Sequence, residues 1–62
     1  MMAKDFVDEL SHLKAILVLE ENVDMGRFNQ LYNTAIDQMI RGGRVNKEMM
    51  EELFYFRNLI NH

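Results

Sequence analysis

The chain has 62 residues, of which 48% are hydrophobic and 27% are charged, with a formal net charge of -3 and no cysteine. This length predicts one domain over residues 1–62, and the lack of cysteine excludes a disulfide framework, a thiol nucleophile and a zinc-thiolate site. No apolar run is long enough for a membrane span, and the acidic balance argues against a strong non-specific nucleic-acid binder.

The first predicted helix covers residues 5–20. Its apolar stripe has steps of four, three and four and consists of Phe6, Leu10, Leu13 and Leu17. The run at 15–19 is apolar throughout and holds two β-branched residues, a pattern that also fits a buried strand. The helical spacing upstream favours a helix here, and a strand over residues 13–19 stays open as the alternative.

The second predicted helix covers residues 25–41 and has the clearest pattern. Its apolar positions follow steps of three and one and are Phe28, Leu31, Tyr32, Ala35, Ile36, Met39 and Ile40. This is the spacing of one face of a helix with 3.6 residues per turn. Asp24 is the expected N-cap, and Gly42 and Gly43 supply the left-handed stop at the other end.

The third predicted helix covers residues 47–60, with Asn46 as its expected N-cap. Its main stripe consists of Met49, Leu53, Phe56 and Ile60. Phe54 and Tyr55 lie off that stripe, so this helix is apolar over more than one face. A three-helix monomer needs only one inward stripe per helix.

The first and third helices therefore hold more apolar surface than a monomer of this size buries. A domain of this length buries only about 60% of the surface that its unfolded chain exposes. We predict an all-α, three-helix bundle that is completed by homodimerisation or by docking on a partner. The residues predicted to form the association surface are Ile16, Leu19, Met50, Phe54 and Tyr55.

Few side chains suggest chemistry. His12 follows Asp8 and Glu9 by one helical turn, but ligands from one helix do not complete a metal site. Ser11 stands beside His12, and neighbouring residues point apart on a helix. We therefore expect no catalytic residue, metal site, cofactor or small-molecule substrate, and we predict that the protein is not an enzyme.

Two family resemblances bear on the alternatives. With residues 13–19 as a strand before two helices, the order resembles the ribbon-helix-helix repressors, which are dimeric DNA-binding regulators. Residues 43–46 (GRVN) then look like the inter-helix turn of that family. The groove-facing residues of the strand would be Lys14, Ile16 and Val18, which depart from the polar and basic set with which that family reads bases.

The second resemblance covers residues 31–37 (LYNTAID), followed by Asn46 and Lys47. This stretch is similar to the centre of the Hha family of small helical modulators of nucleoid proteins. The resemblance implies that Asp37 contacts a nucleoid-protein partner.

The composition and the surplus apolar surface together predict the function. We expect a small protein-binding regulator or inhibitor, of the kind encoded by phages and mobile elements, that acts without catalysis. Its partners would be a second copy, a larger protein or both, with no direct nucleic-acid binding and no membrane contact. The N-terminus lacks a basic segment followed by an apolar core, so we expect a cytoplasmic location. The alternative is a dimeric transcriptional or nucleoid regulator of one of the two types above.

Overall fold

The computed structural model describes residues 1–60, which form three α-helices. Helix α1 spans Ala3–Leu17, α2 spans Met25–Ile40 and α3 spans Lys47–Ile60. Within this described part of the chain there is no strand, only one isolated bridge near the N-terminus. The prediction of an all-α, three-helix fold is confirmed.

The bounds of α3 agree with the prediction, and α2 ends one residue earlier than predicted. The first helix, predicted over roughly 5–20 to within a few residues, begins two residues earlier, at Ala3, and ends three residues earlier, at Leu17. The backbone N–H of Leu19 donates to the carbonyl oxygen of Ile16 at 3.1 Å, and that of Glu20 donates to Leu17 at 3.0 Å. Hydrogen bonds that span three residues mark a tightened turn, whereas an α-helix would continue with bonds that span four.

The strand alternative for residues 13–19 is wrong, since α1 continues to Leu17. All four residues of the predicted α1 stripe are buried, and their spacing of four, three and four is compatible with a helix face only. The arrangement that the ribbon-helix-helix resemblance requires is therefore not present in residues 1–60.

The core lies along the axis shared by the three helices. Phe6 from α1, Phe28 from α2 and Phe56 from α3 are fully buried. The rings of Phe28 and Phe56 meet edge to face with centroids 5.2 Å apart, an arrangement that aromatic pairs prefer. The last turn of α2 departs from its predicted stripe, because Met39 and Ile40 are exposed.

The chain runs up, down and up, so that α1 and α3 are parallel. The N–H of Val45 donates to the carbonyl oxygen of Met1 at 3.2 Å, which places the starts of α1 and α3 at one end of the bundle. Further along, Arg57 of α3 pairs with Glu9 of α1 at 3.3 Å. One side of the bundle is therefore formed by α1 and α3 together.

The predicted caps of α2 and α3 are confirmed in atomic detail. The Asp24 carboxylate accepts a hydrogen bond from the N–H of Arg27 at 3.0 Å at the start of α2. The Asn46 side chain accepts from the N–H of Met49 at 2.9 Å at the start of α3. Gly42 ends α2 with a φ of 68°, in the left-handed region that glycine adopts without a steric cost.

Candidate association surface

Four of the five predicted association residues are exposed, and the fifth is half-buried. Ile16 is 45% exposed, Leu19 81%, Phe54 50% and Tyr55 39%, whereas Met50 lies partly against the core. Exposed apolar side chains that cluster are typical of interaction sites, whereas single ones are ordinary. The question is therefore which of these side chains lie together.

The first group lies where α1 ends. Ile16 is in the last turn of α1, and Val18 and Leu19 follow in the turn after it. Val18 is 56% exposed, so three of four consecutive residues present apolar side chains to solvent. We call Ile16, Val18 and Leu19 the α1-end patch. Glu20 and Glu21, both exposed, follow it directly and make its rim acidic.

The second group lies on α3. Residues three or four apart share a helix face, whereas adjacent residues are about 100° apart around the axis. Phe54 therefore shares a face with Met50 and not with Tyr55. Glu51 and Arg57 lie three residues before and after Phe54, on the two flanks of this face. We call the surface of Met50, Glu51, Phe54 and Arg57 the Phe54 face.

Tyr55 belongs to a different cluster, between α2 and α3. The guanidinium of Arg27 lies 3.9 Å from the centroid of the Tyr55 ring, a close cation–π contact. The same guanidinium binds the Glu52 carboxylate through two nitrogens, with Nε 2.9 Å from Oε1. Tyr55 thus has a partner within its own chain, and its role in association stays a prediction.

The ion pair shifts the pKa of both partners. Hydrogen bonding from Arg27, opposed by partial desolvation, holds the pKa of Glu52 below its ordinary value. The pKa of Arg27 is raised, chiefly by the same hydrogen bond. Both charges therefore persist at neutral pH, and the pair joins α2 to α3. Sequence patterns did not reveal this cluster, because its members are distant along the chain and follow no motif.

The candidate chemical residues are engaged in local hydrogen bonds. The Ser11 hydroxyl donates to the carbonyl oxygen of Val7 at 3.0 Å. His12 Nδ1 lies 2.9 Å from the carbonyl oxygen of Asp8, so the ring turns back onto its own helix. Over residues 1–60 no three histidine, cysteine or acidic side chains are placed so that they could hold a metal ion.

An open depression between α2 and α3 has a volume of about 200 Å³. Ligand pockets usually hold about 300–1,000 Å³ and enclose most of the ligand. Two of the charged groups that line the depression, Arg27 and Glu52, already neutralise each other. It is thus smaller than usual for a small-molecule site.

Asp37 is the residue that the Hha-like resemblance predicts to contact a partner, and the structure places it on the surface. Its carboxylate is exposed at the outer side of α2 and pairs with Arg41 at 3.2 Å, one helical turn later. Such exposed pairs contribute little to stability, and the side chain is accessible to a partner.

No helix within residues 1–60 is both long enough and apolar enough to cross a membrane. Comparison of the chain with protein families, with curated proteins and with solved structures gives no match.

Proposed function

We propose that this protein is a small protein-binding regulator or inhibitor, of the kind encoded by phages and mobile elements, that acts without catalysis. The observation that carries the proposal is the exposure of apolar side chains in two groups, the α1-end patch and the Phe54 face. Burial of apolar surface contributes about 25 cal/mol per Å². A partner that covers these groups gains that free energy without any rearrangement of the bundle.

The α1-end patch is the surface best suited to a larger protein. Leu19 projects from a turn and not from the side of a helix, so it can enter a recess on a partner. Glu20 and Glu21 beside it favour a recess with basic residues at its rim, because complementary charge steers and orients association. The lack of cysteine suits the reducing cytoplasm, which is the location we propose.

The alternative function is modulation of a nucleoid protein, as the Hha-like stretch implies. The observation in its favour is the exposure of Asp37 on the outer side of α2. In that case the contact surface would centre on α2, away from the α1-end patch. The two functions therefore differ in which substitutions abolish binding.

Affinity capture with single-residue variants tests the proposal. We expect the immobilised wild-type chain to capture a protein from a lysate of its source organism, and we expect Leu19→Glu to lose it. Asn29→Glu adds the same charge at an exposed site on α2 and should retain the captured protein. Binding of the identified partner is then measured with both purified proteins by calorimetry.

Two results would contradict this function. Capture that is unchanged by Leu19→Glu but abolished by Asp37→Asn would favour the nucleoid-modulator alternative. Tight, sequence-selective binding of the purified chain to a DNA duplex would replace protein binding with direct DNA recognition.

A further inference from the structure

We propose that this chain associates end to end with further copies of itself, the α1-end patch of one copy binding the opposite end of the next. The inference rests on the proposed function in one respect, that the α1-end patch is a contact surface. It goes further because it names a second copy of the chain as an occupant of that patch and identifies the surface that this copy presents.

The two loops that connect the helices lie at opposite ends of an elongated bundle. The backbone extends 33 Å along its longest dimension and 16 Å along each of the other two. Residues 18–24 join α1 to α2, and residues 41–46 join α2 to α3. Because the chain runs up, down and up, the first loop lies at one end of the bundle and the second loop at the other.

The end opposite the α1-end patch also exposes apolar side chains. Ile40, the last residue of α2, is 76% exposed, and Met39 before it is exposed as well. Arg41 and Arg44 follow in the loop, and both are exposed. Met2 is half-exposed and lies beside Arg44, to which its backbone is bridged. We call these five residues the α2-end patch.

The two ends carry opposite charge. Residues 18–24 hold three acidic residues and no basic one, whereas residues 41–46 hold two arginines and no acidic residue. Within the part of the chain that the structure describes, no ion pair involves Glu20, Glu21 or Arg44. These charges are therefore available to a second copy.

This distribution of charge favours a head-to-tail contact over a two-fold one. Two copies that met through the same end would set carboxylates against carboxylates or arginines against arginines, which is repulsive. When the α1-end patch of one copy meets the α2-end patch of the next, the acidic loop faces the arginines. The exposed apolar side chains of both ends are then removed from water, which is favourable.

The acidic end also has a recess for an apolar side chain. The recess has a volume of about 190 Å³ and is lined by Glu20, Asn22, Val23 and Leu59. This size suits one aliphatic side chain, since a cavity of about 150 Å³ holds a benzene molecule. In the proposed contact Ile40 enters the recess, and Arg41, the next residue, meets the carboxylate of Glu20.

The contact repeats from copy to copy. A head-to-tail contact that does not close into a ring adds copies without limit, and patches at opposite ends of an elongated bundle do not close a small ring. The end of so slender a bundle is small, so the contact falls below about 1,200 Å² in total, in the range of weak interfaces. We therefore expect reversible chains whose mean length grows with protein concentration.

Sedimentation equilibrium with variants that block one end tests the contact. We expect the average mass of the wild type to rise past that of a dimer between low micromolar and millimolar concentration. Leu19→Gln and Ile40→Gln each remove one apolar side chain without changing the charge, and each should weaken association by at least about tenfold. A mixture of the two variants keeps a single intact contact, between the α2-end patch of the first and the α1-end patch of the second. It should therefore stop at a heterodimer.

Phe54→Gln is the matched control, since it removes an exposed apolar side chain from α3 away from both ends of the bundle. It should associate like the wild type. A wild-type chain that stays monomeric at millimolar concentration, or whose mass levels off at a dimer, would overturn the proposal. Equal weakening by Phe54→Gln, or a mixture no heavier than the separate variants, would do so as well.

Charge reversal tests the polarity of the contact. Glu20→Arg and Arg44→Glu should each weaken association, because each places like charges in the contact. A mixture of these two variants has opposite charges at every contact, so it should again form chains longer than a dimer. A mixture that associates no better than either variant alone would contradict the head-to-tail polarity.

The two proposals fail separately. Self-association covers the α1-end patch, whereas Ile40→Gln leaves that patch intact and uncovered, so this variant should still capture the partner. Absence of a captured partner with Ile40→Gln would remove the proposed function but leave the measured self-association of the wild type as it is. Undiminished self-association of Ile40→Gln would overturn the end-to-end contact and leave the capture result unaffected.

Discussion

At the scale of single residues, Arg27 joins α2 to α3. Two of its guanidinium nitrogens donate to the Glu52 carboxylate, and the guanidinium stacks on the Tyr55 ring. Lysine has the same charge but neither the planar fork nor the delocalised surface that these contacts use. We expect Arg27→Lys to lower the Tm by a few degrees in calorimetry. Arg41→Lys is the control, because the side chain of Arg41 forms an exposed pair with Asp37. The Tm of this variant should equal that of the wild type, since such pairs contribute little to stability. Equal Tm values for the two variants would show that the cluster does not stabilise the bundle.

The stabilisation that Glu52 contributes to the same cluster depends on pH. Its pKa is lowered in the folded protein, so the ionised carboxylate is more stable in the native state than in the unfolded state. The resulting stabilisation is fully present above the ordinary glutamate pKa of about 4.5 and is lost as pH falls through the lower folded pKa. We expect Glu52→Gln to be less stable than the wild type at pH 7, in urea unfolding. The difference should shrink as pH falls below about 4, and a constant difference would contradict this account.

At the scale of elements, the end of α2 is a Schellman motif. The N–H of Gly43 donates to the carbonyl oxygen of Gln38 at 2.8 Å, and that of Gly42 donates to Met39 at 3.1 Å. The motif requires the positive φ of Gly42, which costs an ordinary residue about 1–2 kcal/mol. We expect Gly42→Ala to lower the free energy of unfolding by about 1 kcal/mol. Gly42→Asn should lose less, because asparagine tolerates this region, and a larger loss for asparagine would argue against the motif.

The elements also show which features the sequence predicts and which it does not. The caps at Asp24 and Asn46 and the stop at Gly42 follow local rules, and all three are confirmed. The start of α1 follows none, since Met2 makes no side-chain cap. Just before this start, the N–H of Val45 donates to the carbonyl oxygen of Met1, a contact between distant parts of the chain. Local patterns carry no information about such a partner.

The candidate association surface was likewise predictable only in part from the sequence. Helical periodicity separated Phe54 from the buried stripe of α3, because position around a helix follows directly from spacing. The stack of Arg27 on Tyr55 depends on how α2 and α3 pack, so it was not predictable from the periodicity of either helix. The end of α1 was missed because Val18 and Leu19 continue an apolar run, although no other helix covers them.

At the scale of the whole molecule, three fully buried phenylalanines from three helices form the centre of a small core. Replacing a buried phenylalanine with alanine costs about 3–5 kcal/mol, through lost burial and the cavity that remains. A domain of this size has little stability to spare. We therefore expect Phe56→Ala to leave the chain largely unfolded at 25 °C, as measured by far-UV circular dichroism.

Phe54→Ala is the matched control, since it makes the same change two residues earlier on the exposed side of α3. At low micromolar concentration its Tm should stay within a degree or two of the wild type, because exposed substitutions change stability little. If the homodimer predicted from the sequence forms through Phe54, the Tm of the wild type should rise at millimolar concentration by mass action, and the Tm of Phe54→Ala should not. A concentration-dependent Tm that is equal in both proteins would place self-association on another surface. The two substitutions thus separate the phenylalanine that holds the bundle together from the phenylalanine that is predicted to lie in an association surface.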